Sequence, residues 1–537
     1  MSPSSRTPDR ARWLAPQEIL FLLLVIAAWS VLVLSLGKDQ SWDFRNYHWY
    51  VPYAYLNHRM GFDIAVAHQA TFYNPTLDIP FYLLATHTHA WVTLAVLGAV
   101  QGANVVPLYL LARSTLRVEE HQRLIAAIVT VLCMTGGLTV GLAGTTYYDN
   151  VMSVFVLSGL AAIVTQREPL AHGSLVRGAM ISGLAGLSTG IAVGLKLPEA
   201  IFALGFGAAL LVLPGDTKHR SMRTAAGIAG GIVGLLLISA HWWIAMYHVT
   251  GNPLFPYFNQ IFDSPLALNT SYRDVRFLPH SFEHILLFPL LFTIDWRVAD
   301  DLQFQDIRVG IAYVLLLLTI PVLIFAKRSR APLVAPEAAA ALFAFCGVAY
   351  AVWIGLFAIY RYILTLEMLA PLLITSAIGL WPIARRAQLT VLGVLGVAAM
   401  AFMRPGWLPR APVEDPYVDV SVPPIAHPNN TLILMAGEAP MGYLVPALPR
   451  QIPVLRIDGW MIQPQDGSKL TAATKRRVAA YHGDMFLIAN EYEIGRAAEA
   501  LGDYGLAMRY LECSDIEANL GGPYKFCPVE RLTEKKP

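Results

Sequence analysis

Charge is scarce in this chain. Of its 537 residues only 14% are Asp, Glu, Lys or Arg, against about a quarter in average soluble domains, which excludes an ordinary cytosolic domain and a disordered chain alike. The charge present nearly cancels, 39 Lys and Arg against 37 Asp and Glu, so nothing implies a nucleic-acid partner. Four cysteines are too few for a disulfide scaffold, and none has zinc-ligand spacing. The chain also lacks a Walker A loop, a Gly-x-Gly-x-x-Gly after a strand, a His-Glu-x-x-His motif, a Gly-x-Ser-x-Gly elbow joining a strand to a helix and a clear Asp-x-Asp pair. Those absences exclude the usual equipment of intracellular nucleotide chemistry. No internal repeat is visible, which argues against a repeat-built secondary transporter.

What is abundant is apolar sequence. Hydrophobic residues make up 55% of the chain and the mean hydropathy is +0.50. They fall in blocks of about 17 to 24 residues, the length that crosses a bilayer core as a helix. About eleven spans are expected, near 17–36, 91–112, 124–142, 150–166, 177–194, 198–214, 224–246, 309–326, 335–358, 362–381 and 387–403. The first apolar run is too long for a signal peptide and lacks a small-residue cleavage site, so it is expected to remain as a span. Basic residues crowd the N-terminal tail 1–16 (Arg6, Arg10, Arg12) and alternate loops, including RSTLRVEEHQR, GDTKHRSMR and AKRSR. By the positive-inside rule these loops are cytoplasmic. Two large insertions, 37–90 and 247–308, then lie outside, with the TTYYDN, KLP and YRY turns and everything after the last span.

Within the first insertion, YHWYVPYAYLNHRM suits interfacial helices. In the second, HILLFPLLFTI is too short to span. Residues 404–537 alternate strand-like runs (TLILMAG, PVLRIDG, MFLIAN) with helix-like runs (TAATKRRVAAYHG, EIGRAAEALGDYG), which predicts a small α/β domain on the outer face. A Cys513–Cys527 bridge in it would close a loop of about 15 residues and contribute roughly 3 kcal/mol. Cys133 and Cys346 lie inside spans and read as apolar fillers.

The polar residues with chemical potential cluster on the expected outer side. WDFRNYHWYVPYAY places Asp43 just past the first span, followed by Arg45, Asn46, Tyr47 and His48. A carboxylate held among aromatics can take a proton from a hydroxyl nucleophile; the alternative is a solvated Asp capping a helix. TFYNPTLDIPFYL carries Tyr73, Asn74 and Asp78, suited to a polyhydroxylated ligand or to a Pro-broken turn that Asn74 caps. Asp63 and His68 read as solvated loop residues. Asp149 in GTTYYDN is a helix-start acid or a second acid facing the same cavity. Lys196 in GLKLPEA lies at membrane-surface depth, where a cation either snorkels or meets a lipid phosphate. Arg361 and Glu367, six residues apart in YRYILTLEMLAPLL, are poorly placed to pair along one helix, so each should find a partner elsewhere in the bundle. Asn252, Asn259, Arg273, Arg276 and Arg297 are candidates for a polar wall in the second insertion.

WDFRNYHWYVPYA with its continuation HRMGFDIAVAHQATFYNPTLDIPFY, together with GNPLFPYFN and YRYILTLE, resembles the GT-C superfamily of polytopic glycosyltransferases over roughly residues 17–403. The resemblance implies a protein of a bacterial inner membrane. It would transfer a monosaccharide from a polyprenyl-phosphate donor to a glycan or lipid acceptor on the outer face, usually with inversion. It further implies Asp43 as general base and Lys196 and Arg361 as holders of the donor phosphate. Arg45, Tyr47, His48, Tyr73, Asn74, Asp78, Asp149 and Asn252 are the candidate substrate contacts. Many members carry two adjacent acids in the first loop, whereas Phe44 follows Asp43 here, so a divalent cation stays an open question. The alternatives are a flippase for lipid-linked sugar, a ligase or polymerase moving a whole glycan, and a non-catalytic scaffold.

Overall fold

A computed structural model describes residues 14–118, 120–325 and 332–532. The basic residues of the N-terminal tail and the AKRSR loop fall outside the described residues. The chain is mostly helical. Among the described residues seven helices are long and apolar enough to cross a membrane: Pro16–Leu36, Ala90–Thr115, Leu175–Leu195, Thr217–Thr250, Arg308–Phe325, Pro336–Leu356 and Tyr360–Leu380. Four shorter apolar helices accompany them, Gln122–Met134, Asp149–Thr165, Leu197–Val212 and Phe282–Ile294. Every expected segment falls on a helix, and among the described residues seven of these helices have the length and composition of a span by themselves.

Two expected segments are broken, each for a visible reason. The second bends at Ala103–Asn104, where the Asn104 amide donates to Gln101 O and Asn150 O. The third stops at Met134, and a separate short turn, Gly137–Gly141, follows. That turn receives Glu367: its carboxylate accepts from Thr139 N (2.8 Å), Thr139 Oγ1 (2.7 Å) and Leu138 N (3.2 Å). A fully buried carboxylate is thereby satisfied by a helix start, the partner elsewhere in the bundle that its spacing from Arg361 required.

Glycine governs the closest helix pair. Helices Leu175–Leu195 and Thr217–Thr250 approach so tightly that a Cβ on Gly186 or Gly190 would fall 2.0 Å from Gly227 O or Gly231 O. Small residues are what let two backbones meet in this way. The Gly-Leu-Ser-Thr-Gly run at 186–190 thus lies in mid-helix and serves packing.

The helix ends sort into two sets. At one end Glu18 meets Arg113 and Arg123, Arg117 meets Glu337, and His219 Nε2 donates to Gly173 O at 3.0 Å. At the other end the first insertion, the TTYYDN and KLP turns, the second insertion and the YRY turn converge. The C-terminal sheet domain sits at this second end. Parallel strands Val454–Arg456, Thr431–Ala436 and Asp484–Asn490 form one side of its sheet. Antiparallel strands Tyr524–Arg531, Ser514–Ala518 and Val420–Ser421 continue it, and Leu506–Met508 also pairs with Tyr524–Arg531. Helices Lys469–Ala479 and Ile494–Gly502 pack on it through Val478, Ala497 and Leu501. Cys513 and Cys527 form a disulfide, while Cys133 and Cys346 are free and buried.

The first insertion is welded to this domain, which overturns one expectation from the sequence. Asp63 and His68 are buried, not solvated. Asp63 accepts from Arg59 Nε (2.6 Å) and Nη2 (2.7 Å), from Tyr50 Oη (2.9 Å) and from Val454 N (2.9 Å). Ile64 bridges the edge strand beside Leu455, and Arg456 donates to Val66 O. Lys38–Asp39, directly after the first helix, pairs antiparallel with Arg410–Ala411. Burial pushes the His68 imidazole well below its ordinary range, with the charge of Arg456 adding to the effect, so it is neutral here.

Candidate functional site

Phe44–His48 forms a single turn of π-helix, a geometry that recurs at functional sites because it re-aims side chains. It places the Tyr47 hydroxyl 3.1 Å from Asp43 Oδ2, to which it donates. Burial, then the Asp43 charge, hold the Tyr47 phenol well above its usual range, so it remains a donor. On the other side of Asp43 stands Arg361, whose Nη1 lies 3.5 Å from the same carboxylate oxygen. Both side chains are about one-fifth exposed, so the pair opens to the exterior without being washed by it.

Arg361 is held from three directions. Its guanidinium lies 4.1 Å from the Tyr147 ring centroid and 5.7 Å from that of Tyr362, cation–π contacts that fix its plane. Its backbone N–H donates to Asp300 Oδ2 at 2.9 Å. Asp300 is buried, and burial pushes its carboxyl up to about 6, with Arg361 pulling the other way.

Lys196 enters from the turn between helices Leu175–Leu195 and Leu197–Val212. Its ammonium pairs with Asp149, donates to Tyr147 O at 3.2 Å and lies 5.3 Å from the Tyr362 ring centroid. Tyr147 and Tyr362 thus form the shared wall between the two cations. Arg361 Nε, Asp149 Oδ2 and the buried Glu199 Oε2 lack a hydrogen-bond partner among the described residues. Buried polar atoms are almost always satisfied, so these three keep hydrogen-bonding capacity for a further polar group beside the wall.

Tyr73 and Tyr257 join hydroxyl to hydroxyl with stacked rings, and Tyr73 meets Tyr47 edge-on at 5.4 Å. Burial raises both phenols. Behind Tyr47, His48 Nδ1 contacts Asp78 Oδ1 at 2.7 Å, and burial raises the Asp78 carboxyl against the pull of His48. This pair supports the Asp43 turn from beneath.

Asp43, Tyr47, Tyr73, Asp149, Lys196 and Arg361 are therefore brought together, with His48 and Asp78 one layer back. Three other candidates are not. Arg45 turns to the C-terminal domain, against Gly521 and Tyr524. Asn74 accepts from Thr76 N (3.0 Å) and Thr76 Oγ1 (2.7 Å), the capping role that the Pro-broken turn offered. Asn252 is fully buried and shapes its own loop through Leu254 N and Tyr257 O. Arg276 and Arg297 pair locally with Asp274 and Asp295 on exposed surface, and Asn259 ties its loop to Ser264.

Tyr147, Tyr257, Tyr362, Glu199 and Asp300 were not singled out in the sequence. A signal existed for the tyrosines: three of the expected outer segments carry them, in TTYY, FPYF and YRY. Asp43 and Asp149 are each engaged by a cation, and among the described residues no three His, Cys, Asp or Glu converge. That donor set does not fit a divalent cation, and no step below runs through one. Comparison with known proteins gives no match, whether to a family model, a curated protein or a solved structure.

Proposed function

We propose that this protein is a GT-C-like glycosyltransferase that moves a monosaccharide from a polyprenyl-phosphate donor to a glycan or lipid hydroxyl at the outer face of a bacterial inner membrane. The observation that carries the reading is the meeting of one carboxylate, Asp43, with two cations, Arg361 and Lys196, across a tyrosine wall at one end of an apolar bundle. A donor of this kind lies in the bilayer, so its enzyme needs helices around it and cations where its phosphate surfaces. In the proposed reaction Asp43 takes the proton of the acceptor hydroxyl as its oxygen attacks the anomeric carbon. The bond from that carbon to the phosphate oxygen breaks, and the departing phosphate keeps the electron pair. Arg361 and Lys196 stabilise the charge it gains. Phosphate is a competent leaving group, so one base, two cations and positioning suffice.

The test uses purified protein in lipid nanodiscs, radiolabelled polyprenyl-phosphate sugars and an envelope acceptor fraction, with wild type beside a folded Asp43→Asn variant. Transfer by wild type, reduced about 10²- to 10⁴-fold in the variant, supports the base assignment. Donor binding without transfer, unchanged by the substitution, would instead favour a flippase or a scaffold.

A further inference from the structure

Directly before Asp43 stands Trp42, and its ring is not buried in the bundle. It stacks on Trp460 of the C-terminal domain, with centroids 4.8 Å apart and planes 16° from parallel. His68 joins the stack, 5.5 Å from Trp460 and 6.1 Å from Trp42. These three distances settle the arrangement. A Trp460 ring sandwiched between the other two would hold them about 10 Å apart, so Trp42 and His68 do not cover opposite faces of Trp460. Trp460 is accordingly 48% exposed.

The exposed indole is held rather than loose. Trp460 N donates to His68 Nδ1 at 3.3 Å. Gly459, at φ +155°, lets the backbone pass His68 where a Cβ would stand 2.4 Å from His68 Cε1. Around the indole lies a ring of fixed polar groups. Arg496 donates to Asp458 Oδ2 at 2.6 Å and to Glu438 Oε1 at 2.7 Å, and Glu438 adjoins the indole itself. Arg496 and Glu438 remain 38% and 40% exposed, so they have donors and acceptors to spare.

We infer that Trp460, backed by Trp42 and edged by Glu438, Asp458 and Arg496, is a carbohydrate-stacking platform on which the C-terminal domain seats a sugar ring of the acceptor beside Asp43. A sugar presents an apolar C–H face to an aromatic ring and hydroxyls at its rim, and this surface offers the complement of both. A bare membrane anchor would have no use for a carboxylate–guanidinium rim. The role as acceptor subsite rests on the proposed glycosyl transfer; the sugar-binding surface itself does not.

The experiment is therefore run first without donor. Full-length protein in nanodiscs is titrated calorimetrically with tetrasaccharides of glucose, galactose, mannose, rhamnose and N-acetylglucosamine. Wild type, Trp460→Ala, Trp460→Phe and Glu438→Gln are compared. At least one tetrasaccharide is expected to bind wild type, about tenfold or more weaker to Trp460→Ala and within about threefold to Trp460→Phe. Glu438→Gln should weaken it severalfold, and this variant carries the test if Trp460→Ala does not fold. Failure of every tetrasaccharide to bind wild type overturns the platform, as does binding that Trp460→Ala and Glu438→Gln leave unchanged. Sugar binding lost in Trp460→Ala with no transfer from any donor would keep the platform and remove the transferase. Transfer with an acceptor KM equal in wild type and Trp460→Ala would do the reverse.

Discussion

Replacing Arg59 with Met would strip the cation from a carboxylate that has nowhere else to turn. Asp63 is fully enclosed, and two of its four hydrogen bonds come from the Arg59 guanidinium. Arg59 also donates to Arg450 O and Ile452 O at 2.7 Å each, so the same change orphans two carbonyls of the C-terminal domain. Removing one partner of a buried ion pair costs about 3–5 kcal/mol. The loss should appear as local opening where the first insertion meets the sheet. The amides that report it are Ile64 N, bonded to Val454 O, and Arg456 N, bonded to Ile64 O, each at 3.0 Å. Hydrogen exchange at these two positions should accelerate roughly 10²- to 10³-fold while amides inside Asp484–Asn490 change far less. Adding Asp63→Leu should recover part of the loss, because no unpaired charge then stays buried, though Tyr50 Oη and Val454 N lose their acceptor. Exchange within about threefold of wild type at both amides would refute the claim that this pair fastens the insertion to the domain.

Gly190→Val should force apart helices Leu175–Leu195 and Thr217–Thr250, since even a Cβ meets Gly231 O at 2.0 Å; thermal unfolding in nanodiscs should fall sharply, whereas Gly207→Ala, with open space at its Cβ, should be near neutral. Glu367→Gln keeps the shape but discards the charge that the Gly137–Gly141 turn holds, and should lower stability by about 1–3 kcal/mol in the same assay. Asp300 tests the sign of a pH effect. Its folded pKa of about 6 lies above the ordinary 3.8, so its protonated form stabilises the fold at low pH, and that contribution is lost as pH rises from about 4 through 6. Wild type measured against Asp300→Asn should therefore be relatively more stable at pH 4.5 than at pH 7, by up to roughly 2 kcal/mol. Cys513→Ser with Cys527→Ser should weaken the C-terminal domain by roughly 3 kcal/mol, measurable as faster proteolysis of that domain alone.

How much of this was legible beforehand follows the range of the forces involved. Helix positions depend on local apolar runs, and each expected segment has a helix on it. The C-terminal runs TLILMAG, PVLRIDG and MFLIAN are the three parallel strands for the same reason. What could not be read was contact between distant segments. Asp63 and His68 look like solvated loop residues because the C-terminal segments that enclose them, at Val454 and Trp460, lie about 390 positions away. Asn74 and Asn252 look like ligand contacts because an Asn that caps a turn has the same letters around it as one that binds a sugar. Asp43, Lys196 and Arg361 were legible because a charge near an apolar run is costly wherever it lies, so it must have found company.

The two ion pairs at the site differ in a way that bears on order of events. Lys196 grips Asp149 closely and takes a backbone carbonyl as well. Arg361 reaches Asp43 only at 3.5 Å, long beside the about 2.7–2.9 Å of a charge-assisted hydrogen bond. Its Nε has no partner among the described residues, and its plane is fixed by aromatic rings rather than by the carboxylate. An arriving phosphate offers more charge and more acceptor oxygens than Asp43 does, and Arg361 can meet it bidentately without leaving the Tyr147 face. Under the proposed reaction, donor binding would draw the guanidinium away and leave Asp43 with one donor, Tyr47, and a free lone pair for the acceptor hydroxyl. The base would then be released by the substrate that needs it. Arg361→Lys separates this from simple charge attraction: Lys retains the charge but not the planar fork, so donor affinity should fall several-fold while modification of Asp43 by a water-soluble carbodiimide, which converts its carboxyl to an O-acylisourea that an added amine traps as the amide, is slow in wild type until donor is added and becomes donor-independent in the variant. Labelling of Asp43 that responds to donor equally in both proteins would contradict the coupling.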